Sequence, residues 1–160
     1  MAQMPFAAQL REAAGRRTRV LAWARAEDGV VAGLLDALAV HQADAWTLTP
    51  WDEIEHARFD NTTAALWWTA GGTDRCVRLT EPGRLPEFVR ERVQASILAE
   101  QPVSWDGGRA TIVVRRNPGR PDAALRWAVV ARPGTVLNTP RADQAIAAAL
   151  TLARQEWDIG

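Results

Sequence analysis

From residue 19 onward, apolar positions recur with a period of two. Val20, Ala22 and Ala24 fall on one face of an extended segment, and Leu21 and Trp23 on the other. Short apolar runs follow at 30–34, 37–40, 45–48, 54–59, 64–69 and 75–79, punctuated by Asp28-Gly29, Pro50-Trp51, Asp60-Asn61 and Gly71-Gly72. About seven short strands with turn signals every roughly 8–12 positions are the spacing of an antiparallel sandwich or barrel. Asp28-Gly29 predicts a type I′ hairpin, because both residues tolerate positive φ. Past the Pro50-Trp51 break, strict alternation places Ile54, His56 and Arg58 on one face and Glu53, Glu55, Ala57 and Phe59 on the other.

The period then changes to that of a helix. Leu85, Phe88, Val89, Val93, Ser96 and Ile97 recur at helical spacing over 85–99, with Pro86 in the first turn and Pro102 beyond the end. Extended stretches at 110–115 and 124–131, joined by a turn at 117–121, predict a β-hairpin, and Thr139-Pro140 opens a last helix whose stripe is Ile146, Ala149, Leu150, Ala153 and Trp157. Near the N-terminus, Phe6, Leu10 and Ala13 share a helical face that Gly15 interrupts, which predicts a tail or a loosely docked helix. The fold class is therefore α+β and mainly antiparallel β. Its expected divisions are a tail at 1–18, a domain at 19–101, and a hairpin plus C-terminal helix at 102–160 packed on the same domain.

A chain of 160 residues is long enough to bury roughly 68–70% of its unfolded surface. Its 19 basic residues, all Arg, balance 19 acidic ones, so no global field draws it to nucleic acid or to an anionic membrane. Cys76 stands alone, which excludes an intramolecular disulfide. No apolar run reaches the length of a membrane span and no signal-peptide pattern opens the chain, so a cytoplasmic location is expected.

Candidate chemistry is sparse. Two His, one Cys and two Ser make up the nucleophile and base inventory besides the carboxylates and Thr, and no hydrolase, zinc, phosphate-loop or dinucleotide motif is present. No catalytic residue, metal or cofactor is expected. Cys76 lies between Arg75 and Arg78, a setting that lowers a thiol pKa when both guanidinia converge, but a small buried strand residue is the favoured reading. Alternation sends Asp52, Glu53, Glu55 and His56 to opposite faces, so they do not form one site. Eight Trp are the compositional outlier; most suit the core, while Trp67-Trp68 puts one indole on each face of a strand, and Trp68 is taken as a candidate contact. Arg115, Arg116 and Arg120 are candidates for an anion-binding patch, with Arg16, Arg17 and Arg19 as the other basic grouping.

Ala22-Trp23-Ala24, then Asp28-Gly-Val-Val-Ala32, Pro50-Trp-Asp-Glu-Ile54 and Val77-Arg-Leu79 ahead of the helix, resemble the pattern of bacterial pleckstrin-homology-like (GRAM-like) domains found in small proteins of high-GC bacteria. The resemblance spans residues 19 to about 99 and implies a β shell closed by one amphipathic helix. A domain-sized core beside a nearly empty catalytic inventory points to a non-enzymatic module of this kind, with another protein as the expected partner at an exposed sheet edge, an indole-bearing face or the Arg115 hairpin. The alternative is a small-molecule or lipid site, or a cryptic enzyme, in a pocket between the sheet and the helix at 85–99, or peripheral membrane attachment with weak anionic lipid or phosphate contact. Eukaryotic relatives of that fold use a basic first hairpin loop for lipid headgroups; here the loop reads Arg25-Ala-Glu-Asp-Gly29, with one Arg and two acids.

Overall fold

Ten strands and three helices form three antiparallel sheets in a computed structural model that describes residues 3–157. The chain divides into two units: one runs to Ser96 and also takes up Asn117–Ala123, and the other comprises Ile97–Arg116 and the chain from Ala124 onward.

In the first unit, β1 (Val20–Ala26), β2 (Gly29–Leu34), β3 (Ala37–Gln42) and β4 (Ala45–Pro50) form a four-stranded meander. A 3₁₀ turn at Trp51–Glu53 leads into a second meander of β5 (Ile54–Asp60), β6 (Ala65–Ala70) and β7 (Thr73–Arg78). Helix α1 (Ala7–Ala14) precedes the sheets and α2 (Leu85–Ser96) follows them. No closed barrel is formed: the two sheets are open and meet at an isolated bridge, Ala26 to Leu79, beside which Thr80 N donates to Arg25 O (2.9 Å). Pro50, lacking an N–H, ends β4, and the 3₁₀ turn carries the chain to the second sheet instead of continuing the ladder.

Two bulges overturn the simple alternation. The register of β1 against β2 slips between Val20 and Ala22, and that of β5 against β6 between Ile54 and His56. One extra residue inverts every side chain beyond it. Ile54, Ala57 and Phe59 therefore pack on the core while His56 and Arg58 are exposed, and Val20 sides with Trp23 while Ala22, Ala24 and Ala26 face the other way. The predicted type I′ turn at Asp28-Gly29 is also corrected. Gly29 pairs with Ala26 as a strand residue, and neither Glu27, Asp28 nor Gly29 has positive φ. Its glycine serves close approach, because a Cβ there would lie 1.7 Å from the His41 carbonyl oxygen. The positive-φ pair sits instead at Ala43 (50°) and Asp44 (61°), between β3 and β4.

The first sheet is buried on both faces. Val31, Leu38 and Val40 face the second sheet and α2, together with Trp51, Ile54 and Leu66. Val30, Ala32, Leu34, Ala37 and Ala39 face away and cluster with Leu10 of α1 and with Trp46. Double burial explains the continuous apolar runs at 30–34 and 37–40. Helix α1 is docked: Leu10 is 1% exposed, Trp46 Nε1 donates to Phe6 O (3.1 Å), and the Phe6 ring stacks on His41 with centroids 3.9 Å apart. Trp51 is fully buried, donates from Nε1 to Leu34 O (3.0 Å) and meets Phe88 of α2 edge-on.

The turn after β5 supplies a pH-dependent element. Asp60 Oδ1 accepts from the backbone N–H of Thr62 (2.8 Å) and Thr63 (3.4 Å), and these bonds, that of Thr62 first, hold its carboxyl below the ordinary value of 3.8. A lowered folded pKa means that the contribution is complete above the unfolded value and is lost as pH falls through the folded one. An NMR titration of the Thr62 amide is expected to show a midpoint below 3.8, and Asp60→Asn to abolish that transition.

The second unit carries a correction to the helix end. Helix α2 stops at Ser96, whose Oγ donates to Val93 O (2.6 Å), and Ile97 already belongs to β8 (Ile97–Trp105). With β9 (Gly108–Arg115) and β10 (Arg126–Ala131) it forms a three-stranded sheet in the order β10-β9-β8, so the expected hairpin gains a strand. Pro102 is tolerated because β8 is an edge strand. Helix α3 (Pro140–Trp157) packs against β8 and β9, starts where Ala142 N donates to Thr139 Oγ1 (3.2 Å), and places Arg154 over the Trp127 ring.

Candidate binding surfaces of the first unit

Only one face of the second sheet meets the core. Its other face carries two cross-strand rows: His56, Thr69 and Asp74, of which Thr69 is buried between its neighbours, then Arg58, the half-buried Trp67 and Cys76. The Arg58 guanidinium lies 5.0 Å from the Trp67 ring centroid, a cation–π contact on an open surface. Thr69 Oγ1 donates to Asp74 Oδ1 (2.6 Å) and lies 3.2 Å from His56 Nε2. The single hydroxyl proton goes to the carboxylate, so His56 is the donor to Thr69. A nucleophile-and-base pair needs the opposite polarity.

The expected burial of Cys76 does not occur. Val77 takes the inward position on β7, which turns Cys76 outward to an exposed site. Arg75 occupies the opposite face, and Arg78 lies 3.6 Å from Glu27, so the two guanidinia do not converge on the thiol. Edge strand β7 is exposed from Thr73 to Cys76.

Between the two sheets, reaching the β7 edge, lies a cleft of about 370 Å³ walled by Val40, Thr47, Thr49, Trp68 and Arg75, with Gln42, Asp74 and Cys76 also in its lining. Pairing fixes these orientations: Thr47 opposes Val40, Thr49 opposes Leu38, and Arg75 opposes Trp68, and each partner belongs to the core. Helix α2 instead packs against β1, β2, the 3₁₀ turn and β5. The expected ligand pocket beside that helix is an open groove lined by Phe59, Asn61, Glu87, Arg90 and Gln94, with no Trp.

The sequence-predicted residues fall in different places. Trp68 is 4% exposed and belongs to the core wall of the cleft, whereas Trp67 is the indole on the open face. Arg120 Nε lies 2.9 Å from Asp36 Oδ2, and Arg16 Nη2 lies 2.8 Å from both oxygens of the same carboxylate. Asn117 Nδ2 donates to Asp36 O (2.7 Å), so these groups pin the segment Asn117–Ala123 to the turn after β2. Arg115 is a buried residue of the second unit, at the end of β9, and Arg116 follows it half-buried. Reversing charge at Arg115 would report on folding before it reported on binding. Sequence reasoning passed over Trp67, Arg58 and Arg75 as contacts. The signal was present in Gly71-Gly72: a two-residue turn pairs Ala70 with Thr73 and, counting back, Trp68 with Arg75.

Among the described residues, no group of three or more His, Cys, Asp or Glu is placed to hold a metal ion, and no helix is long and apolar enough to cross a membrane. No family model, no curated protein and no solved structure matches the chain.

Proposed function

We propose that the first unit is a non-enzymatic, pleckstrin-homology-like binding module that engages another protein through the outer face and free edge of the β5–β7 sheet. Seven strands in two meanders followed by one packed helix support the architectural part of this reading. The observation that carries the binding part is an asymmetry of coverage. The first sheet is buried on both sides, whereas the second presents Trp67 under Arg58, beside an exposed edge strand. Aromatic and Arg side chains are the groups that dominate interface energetics, and an open strand edge offers a partner backbone its hydrogen bonds.

The test replaces Trp67 by the photo-crosslinking residue benzoylphenylalanine in the native host. Ultraviolet irradiation is expected to give one discrete polypeptide adduct, and the same residue at the exposed Leu152 of α3 to give none of that mass. Adding Arg58→Glu is expected to lower the yield at least tenfold with the thermal midpoint nearly unchanged, since Arg58 is exposed. No adduct, or one indifferent to Arg58→Glu, removes this face from consideration.

A further inference from the structure

We propose that the cleft between the two sheets is a binding site for a small organic monocarboxylate with an apolar body; it shares edge strand β7 with the protein-binding face but does not include Trp67 or Arg58. The walls converge by register rather than by chance of side-chain reach. Thr47 and Thr49 project from β4, and Thr73 and Arg75 from β7, onto the same inner side as Val40 and Trp68. Thr73 takes this side because it opposes Ala70, which packs on the core. The volume, about 370 Å³, lies in the range of small-molecule sites.

The lining chemistry selects the ligand. Val40, Val77 and the Trp68 ring supply an apolar floor, and three hydroxyls and one guanidinium supply donors. The Trp68 Nε1–H is closed off from solvent and has no hydrogen-bond partner among the described residues, so the cleft meets the indole ring and not its N–H. The Thr hydroxyls accept as well as donate, so it is the Arg75 guanidinium, which donates and cannot accept, that calls for an anion. The charge count makes it a monoanion: Arg75 is the one cation of the lining, and Asp74, also at the rim, disfavours a second negative charge. The Asp74 carboxylate is turned to the outer face, where it accepts from Thr69, so it does not neutralise Arg75 from within the cleft. A guanidinium binds a carboxylate through two parallel hydrogen bonds, and the apolar floor accepts the rest of the molecule.

The probe is 4-phenylbutyrate, added to the full-length protein labelled with ¹⁵N so that the indole N–H signals are resolved, with Trp68→Phe assigning the Trp68 signal. The Trp68 signal is expected to shift saturably with the acid, and 4-phenylbutanol and 4-phenylbutylamine to leave it in place. Arg75→Gln, at an exposed position, is expected to raise the apparent Kd at least tenfold, and Thr49→Val, on the opposite wall, to raise it several-fold. The remaining indole signals report that both variants are folded. Absence of a saturable shift, an equal response to the alcohol, or affinities unchanged in both variants would overturn the assignment. Tighter binding of phenylbutyl phosphate than of the acid would overturn the monoanion class. None of these outcomes bears on the Trp67 crosslink, so the two readings fail separately.

Discussion

Trp51→Ala is expected to lower the stability of the first unit by about 3–5 kcal/mol, the cost of emptying a buried aromatic site. Trp51 is fully buried, packs edge-on against Phe88 of α2 and donates to the Leu34 carbonyl, so it joins the end of the first sheet to the helix. A domain with about 5–15 kcal/mol in total would lose a large share of its margin. Trp51→Phe separates the two contributions: it keeps most of the ring volume and removes the N–H, leaving a buried carbonyl short of a donor, at about 1–3 kcal/mol. Urea denaturation followed by far-ultraviolet circular dichroism measures both. A loss below about 1 kcal/mol for Trp51→Ala would mean that the corner is not the joint between sheet and helix.

Gly119→Ala is expected to release the Asn117–Ala123 segment from the first unit. A Cβ at Gly119 would stand 2.2 Å from the Leu35 carbonyl oxygen and 2.7 Å from Asp36 Cα, and these are backbone atoms that cannot swing aside as a side chain can. Either β2 and β3 shift at their turn or the segment lifts, and overpacking of this kind costs about 1–3 kcal/mol. Lifting gives up the Asn117 bond to Asp36 O and the Arg120 ion pair, leaving Arg16 to hold the Asp36 carboxylate. Hydrogen exchange read by mass spectrometry is the measurement: amides of Gly119 and Arg120, which donate to Asn117, are expected to exchange at least tenfold faster. Unchanged protection would show that the clash is absorbed at the turn.

The sequence made the strands legible because their turns are chemically explicit. Gly71-Gly72, Asp60-Asn61 and Pro50-Trp51 each sit within a residue or so of an observed boundary. The stripe of α2 was equally readable, since Leu85, Val89, Val93 and Ser96 are buried, along with Pro86 of the first turn. What escaped was phase. A bulge adds one residue without changing composition, so nothing in Glu55-His56-Ala57 announces that His56 turns outward and Ala57 inward. Strand β8 escaped because Ile97 continues the helical stripe as well as it starts a strand, and Asp106-Gly107, the turn after β8, went unread. The choice of Trp68 over Trp67 follows from the same cause. Which of two adjacent indoles faces out is decided by register against β7, a long-range fact.

The loan of Asn117–Ala123 to the first unit has a consequence for biosynthesis. Asp36 meets Arg120 only after 84 further residues have been added. At about 5–20 residues per second, a ribosome leaves that carboxylate with Arg16 alone for several seconds. The amino-terminal half therefore leaves the exit tunnel before its last fastening exists, and the strands Ile97–Trp105 and Gly108–Arg115 are translated first. A nascent chain halted at Ser96 carries every strand of the first two sheets and lacks the residue that completes them.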